Sequence, residues 1–404
     1  MSVNVVVGEG EVRELSEVKG SLELRDGAEV KSPTGVLVVE RDVVCEGDVV
    51  IKASLKTRRL RAEDGEVVIE GDLEVSRYIR VKDGSLRVEG ALKAPEVDVD
   101  KRLEVGKDCI VDDLSVGGTV RIYGNYKGKE VNVGGRFYVK GTAEIEALSV
   151  GGVAELGDFA RVDRVSVGGT FKATKGEFGD VSVGGSLYAY DFVAFTSIEV
   201  GGVATFYGGC KGESASIGGS LRSDKSVEIG DIDVGGTIDV KENLKCKNLD
   251  VGGTVIVGGN LEAEIIEVGG TIRVSETIKA RSIDIGGTIE ARRIECEEIE
   301  VGGLLDVEKL KAEKVVLGKE SEARGEIVAE EVEVGEKAKA DIIYADYVIV
   351  CEKARVKKII AREVVVERKA RVGLVKYVSR LEVEEGAIIR EQEQISELEK
   401  PGSD

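Results

Sequence analysis

Apolar and polar residues alternate along this chain in short bursts, and the bursts return with a longer fixed period. The segment VGGTIRVSETIKARSID, from Val268 to Asp284, holds one period, with Val268, Ile272, Val274, Ile278, Ala280 and Ile283 apolar. The period before it repeats the pattern with Val251, Val255, Val257, Leu261, Ala263 and Ile266. The one before that has Val234, Ile238, Val240, Leu244, Cys246 and Leu249. Counted from the valine, the apolar places are 1, 5, 7, 11, 13 and 16. Alternation inside a burst is the period of a strand, and each break marks a corner. One period therefore predicts one coil of three short strands around a triangular core. Such a coil buries its apolar edge only by stacking on the next. The predicted fold is all-β: a single-stranded parallel β-helix (β-solenoid) of about 22 turns of 16–17 residues. Right-handed winding follows from the preference of parallel connections.

The corners carry a second signal. The first glycine of a Gly-Gly pair falls at 117, 134, 151, 168, 184, 201, 218, 235, 252, 269, 286 and 302. A tight corner calls for positive φ or close approach of successive backbones, and glycine permits both. A phosphate cradle is excluded on two counts. The glycines lead into no Gly-Lys-Ser/Thr, and the next element is a strand where an anion site needs a helix N-terminus. Gly8-Glu9-Gly10 likewise lacks the third glycine of a dinucleotide fingerprint, with Arg13 in its place.

The rhythm divides the chain into irregular turns over 1–80, regular Val-Gly-Gly turns over 81–303, narrower turns over 304–389 and a polar tail over 390–404. The narrowing is expected because inward places become small at Ser321, Ala323, Ala338, Ala340, Ala354 and Ala370. The tail, REQEQISELEKPGSD, is expected to form a short helical cap through Ile395 and Leu398.

Composition narrows the functional classes. The formal net charge of −20 disfavours a nucleic-acid backbone or an anionic membrane as the main partner, and other membrane association is left open. Histidine is absent, and none of the six cysteines (Cys45, Cys109, Cys210, Cys246, Cys296, Cys351) stands in a Cys-x-x-Cys pair. A transition-metal site, a cofactor and an enzymatic nucleophile–base pair are therefore not expected. The cysteines read as small core residues. The N-terminus has no basic and apolar leader, and no apolar run reaches membrane-spanning length, so the expected compartment is the cytoplasm.

Outward places form columns along a solenoid. Place 12 reads Lys127, Glu144, Arg161, Glu177, Ala194, Lys211, Glu228, Lys245, Glu262, Lys279, Glu295, Lys311, which predicts an ion-pair ladder that holds register. Place 17 reads Asp233, Asp250, Glu267, Asp284, Glu300 over five successive coils. Those carboxylates are expected to accept hydrogen bonds from the following corner, with cation binding as the other reading. Phe137, Phe171, Phe195 and Phe206 fall on inward places, whereas Tyr123, Tyr138, Tyr188, Tyr190 and Tyr207 fall on outward places of one face. Those tyrosines are candidates for lateral contact with a protein partner.

Val-Gly-Gly turns such as Val234-Gly235-Gly236, Val251-Gly252-Gly253 and Val268-Gly269-Gly270 resemble the bactofilins over roughly Val81 to Val383. Bactofilins are polymer-forming cytoskeletal proteins with a right-handed β-helical domain. The resemblance implies nucleotide-free filaments joined through solenoid ends, and a scaffolding role often exercised near membranes. A solenoid's unpaired terminal strands point the same way. The expectation is a structural protein whose partner is itself, assembling through Val3, Val5 and Val7 at one end and Val383, Ile389, Ile395 and Leu398 at the other. The alternative is a non-polymerising binding rod or spacer presenting its tyrosine face.

Overall fold

A computed structural model of the chain describes residues 4–398. It divides into two compact units, Met1–Gly201 and Gly202–Asp404. Each is a stack of parallel β coils, about 23 in all where about 22 were expected. No helix occurs among the described residues.

In the first unit, a regular coil pairs one long strand, such as Cys109–Val116, with a short one, Thr119–Ile122. The long strand alternates buried and exposed until Asp112 and Asp113, which both face outward before alternation resumes. Two successive outward residues turn the chain, so this strand supplies two sides of the triangle. The three expected strands are thus present as two. Leu114, Val131, Leu148, Val165 and Val181 stack rung on rung and are all buried.

Aromatic residues fill part of this core. Phe137, Phe171 and Phe195 are buried as their places predict. Tyr126 is buried too; its ring meets Phe137 edge-on at 5.7 Å, and its hydroxyl donates to the Val111 carbonyl at 3.0 Å. Gly128 leaves the space that this ring occupies, since a Cβ there would lie 2.5 Å from the tyrosine oxygen.

The irregular rhythm before Val81 has a local cause. Residues 32–35 bulge from the strand Glu29–Cys45, and the ladder shifts register between Lys31 and Val36. The hydroxyls of Ser32 and Thr34 both donate to the Val36 carbonyl, at 2.7 and 3.0 Å, and so close the bulge.

In the second unit the three sides separate into distinct strands, for example Leu244–Lys245, Asn248–Val251 and Thr254–Val257. Val234, Val251, Val268, Ile285 and Val301 form a continuous buried column. Place 13 is less covered, and Ala263 and Ala280 are only half-buried. Ser321, Ala323, Ala338, Ala340, Ala354 and Ala370 all lie in the core, which is filled by small side chains there.

Among the described residues the expected helical cap is not formed. Arg390 to Gln394 belong to the strand Ile388–Gln394, which lies parallel on Arg371–Val383. The exposed backbone edge of the preceding coil offers a ladder, and that pairing overrides the helix propensity of a Glu- and Gln-rich run.

The Gly-Gly corners settle one of the two explanations offered for them. None of these glycines has positive φ. Their need is space: a Cβ on Gly270 would lie 2.3 Å from the carbonyl oxygen of Gly253, and one on Gly287 2.2 Å from that of Gly270. Successive coils touch backbone to backbone at this edge.

Candidate functional site

An open hollow in the first unit brings Ser197 and Asp180 together, the serine hydroxyl donating to the carboxylate at 2.6 Å; further chemical character lies in the outer columns and the terminal rungs. The place-12 column forms ion pairs in the expected order. Lys127 meets Glu144 at 2.7 Å and Arg161 meets Glu177 at 2.7 Å in the first unit. Lys211 meets Glu228 at 2.8 Å, Lys245 meets Glu262 at 3.0 Å and Lys279 meets Glu295 at 3.0 Å in the second. The lysine hydrogen bonds hold the carboxyls of Glu144 and Glu228 below the ordinary carboxylate range.

The place-17 carboxylates also stack as expected, Asp233 on Asp250 on Glu267 on Asp284 on Glu300. They do not receive the corner hydrogen bonds. The N–H of Gly252 donates instead to Val234 O at 3.2 Å, and that of Gly269 to Val251 O at 3.1 Å. The solenoid ladder satisfies the corner amides and leaves the carboxylates facing solvent. Among the described residues these five make no ion pair, and no cluster of three or more acidic or thiol groups converges on one point.

A set of residues that the inward reading missed lies further along the second unit. Three successive coils carry Glu336-Lys337-Ala338-Lys339, Glu352-Lys353-Ala354-Arg355 and Arg368-Lys369-Ala370-Arg371. The alanines point into the core and the cations point out. Lys339, Arg355 and Arg371 stack directly on one another. With Lys337, Lys353 and Lys369 they line an open groove of about 560 Å³. The repeated Lys-Ala-Lys/Arg at coil spacing was the available signal.

In the first unit, Tyr123 and Tyr138 touch edge-on at 6.5 Å. Tyr138 and Tyr188 share a column, but Glu155 and Lys172 stand between them. Tyr190 is exposed beside Phe192, an exposed aromatic that place counting missed. Tyr207 is exposed in the second unit, where Phe206 is buried.

Among the described residues the terminal rungs have one neighbour each. Val5–Val7 pairs with Leu22–Leu24, Val12–Glu14 with the start of Glu29–Cys45, and Glu17–Val18 with its middle. The N–H of Val5 donates to Ser21 O and Val7 O accepts from Arg25 N–H, so the Val6 N–H faces the free edge. Val7 is buried, Val5 half-buried and Val6 exposed; Val3 lies outside the described residues. At the other end, Ile388–Gln394 pairs only with Arg371–Val383 among the described residues. Val383 is exposed, whereas Ile389, Ile395 and Leu398 are half-buried.

All six cysteines are free; Cys45, Cys109, Cys210 and Cys246 are buried, and Cys296 and Cys351 are half-buried. Burial pushes the thiols of Cys45 and Cys246 up to about 12 and that of Cys351 up to about 11. Those values leave the thiols protonated at neutral pH.

No protein-family model matches the chain, and neither does any curated protein or solved structure.

Proposed function

We propose that this β-solenoid is a non-catalytic structural scaffold that extends end to end, without nucleotide, by laying the first coil of one copy on the last coil of another. The observation that carries this reading is the edge geometry. Among the described residues each of the three first-coil strands has one partner and one open edge, and the last strand, Ile388–Gln394, is open in the same way. Parallel strands added there continue the ladder already present. Exposed Val6 and Val12 at one end, and Val383 and Ile388 at the other, add apolar surface to the contact.

Val6→Pro tests the proposal cleanly. It removes an edge donor while leaving the bonds of Val5 and Val7 to the next coil in place. Circular dichroism is expected to stay unchanged, while electron microscopy shows filaments for the wild type and single particles for the variant. Filaments of undiminished length in Val6→Pro, or none in the wild type at any concentration, would refute the assembly.

The binding-spacer reading draws on the Tyr123–Tyr138 pair, whose rings are available on an outer face. Under that reading, replacing Tyr123 and Tyr138 by Ser abolishes partner capture and leaves filaments unaltered.

A further inference from the structure

The second unit carries a basic ladder that it neutralises only in part, Lys369 also reaching Glu352 at 4.0 Å, and an acidic ladder that it leaves without ion pairs among the described residues. The basic one is Lys339, Arg355 and Arg371, flanked by Lys337, Lys353 and Lys369. Glu320 pairs with Lys337 at 2.8 Å, Glu322 with Lys339 at 3.3 Å and Glu352 with Lys353 at 2.8 Å. Arg355 and Arg371 have no carboxylate partner among the described residues, although they lie directly opposite each other. Like charges on facing rungs destabilise a sheet. The flanking lysines add a second oddity. Lys337, Lys353 and Lys369 hold φ of 60, 61 and 60°, the left-handed region, where Gly386 serves in the next coil. Glu320, one coil earlier, holds the same conformation at 63°, so the strain belongs to the column, and three lysines bear it where the column borders the groove.

The acidic ladder is Asp233, Asp250, Glu267, Asp284 and Glu300, also exposed and without an ion pair among the described residues. It lies on the strand before the corner, whereas the basic ladder lies after it and begins beyond the last acidic rung. The two ladders therefore cannot close on each other within one copy. Both are cut from the same coil repeat, so their charges share one rung spacing, about 4.8 Å. A carboxylate row from another molecule meets a cation row rung for rung.

We propose that the groove lined by Lys339, Arg355 and Arg371 docks the Asp233–Glu300 carboxylate ladder of a second copy of this chain, pairing copies side by side. The contact is heterologous, so the pair keeps one free ladder of each sign and association continues. It differs from the end-to-end contact, which rests on backbone hydrogen bonds at terminal rungs.

The contact has its own salt dependence. At about 0.01 M salt the Debye length of about 30 Å lets the whole-molecule charge of −20 repel. At about 0.15 M it shrinks to about 8 Å, which screens that repulsion but spares contacts at ion-pair distance. At about 1 M, with about 3 Å, the ladder contact itself is weakened. Association in width is expected to peak near the middle value and to fall about tenfold at either extreme.

The experiment uses the full chain, with sedimentation velocity and particle width in electron micrographs. One variant combines Arg355→Glu and Arg371→Glu; a second combines Asp250→Lys, Glu267→Lys and Asp284→Lys. Each alone is expected to lose side-by-side pairing, and an equimolar mixture of the two is expected to regain it. Restoration in the mixture cannot come from misfolded chains. The proposal is overturned if wild-type copies never pair in width, if either variant pairs as well as wild type, or if the mixture stays unpaired. It is equally overturned if the groove retains duplex DNA or phosphatidylserine vesicles while wild-type copies remain single.

Discussion

At the scale of single residues, the two glycines of a corner are not equivalent in the coils from Gly252 to Gly303, whereas Gly151 and Gly152 are equally crowded at 2.4 Å. A Cβ on Gly269 would stand 3.1 Å from Gly252 O, a contact that a shift of a few tenths of an ångström relieves, whereas on Gly270 it would stand 2.3 Å from Gly253 O. The obstacle in the second case is backbone that belongs to the neighbouring coil and cannot swing aside. Gly270→Ala is therefore expected to cost about 1–3 kcal/mol, as overpacking does, and Gly269→Ala under about 1 kcal/mol. Chemical denaturation of the two variants checks the order, and equal midpoints would contradict it. Which glycine is critical was not legible in the sequence, because the Val-Gly-Gly triplet presents both alike. What was legible is the requirement for small residues at an edge where backbones meet.

At the scale of strands and columns, the sequence resolves whatever repeats with the coil. Most inward places are correct through the regular turns because one misplaced rung would expose a whole row, although Ala263 and Ala280 at place 13 are only half-buried. The alternating signs of place 12 become ion pairs because strand neighbours face each other at coil spacing. Two readings failed where the neighbour mattered more than the segment. Arg390 to Gln394 reads as helix in isolation, yet it finds a ready strand edge at Arg371–Val383. The place-17 carboxylates resemble corner acceptors, but the coil below already satisfies the corner amides. The basic ladder at Lys339, Arg355 and Arg371 was overlooked because its coils were judged by their inward alanines. The ion-pair ladder also carries a pH consequence. Lys211 lowers the Glu228 carboxyl below its ordinary 4.5. A lowered folded value stabilises above the unfolded one, and that contribution is lost as pH falls through the folded value. The Glu228 carboxyl, followed by carbon-13 NMR, should titrate below 4.5 and move up in Lys211→Met. An unmoved titration would remove Lys211 as the cause.

At the scale of the whole molecule, stability and assembly meet at the terminal rungs. In a stacked-coil protein each coil leans on its neighbours, so a coil with a single neighbour opens first. Val5–Val7 and Ile388–Gln394 are such rungs, whereas Thr254–Val257 has a coil on each side. In dilute solution, amide hydrogen exchange should be fastest in peptides covering the terminal rungs and slowest in peptides covering the interior strands. End-to-end joining gives each terminal rung its missing neighbour. Raising the protein concentration should then slow exchange around Val6 and over Ile388–Gln394 together, with Thr254–Val257 unchanged. Side-by-side pairing through charged side chains leaves those edge amides open, so the same measurement separates the two contacts. Protection that rises with concentration at neither end, or only in the coils of Lys339 and Arg355, would mean that growth does not run through the terminal strands.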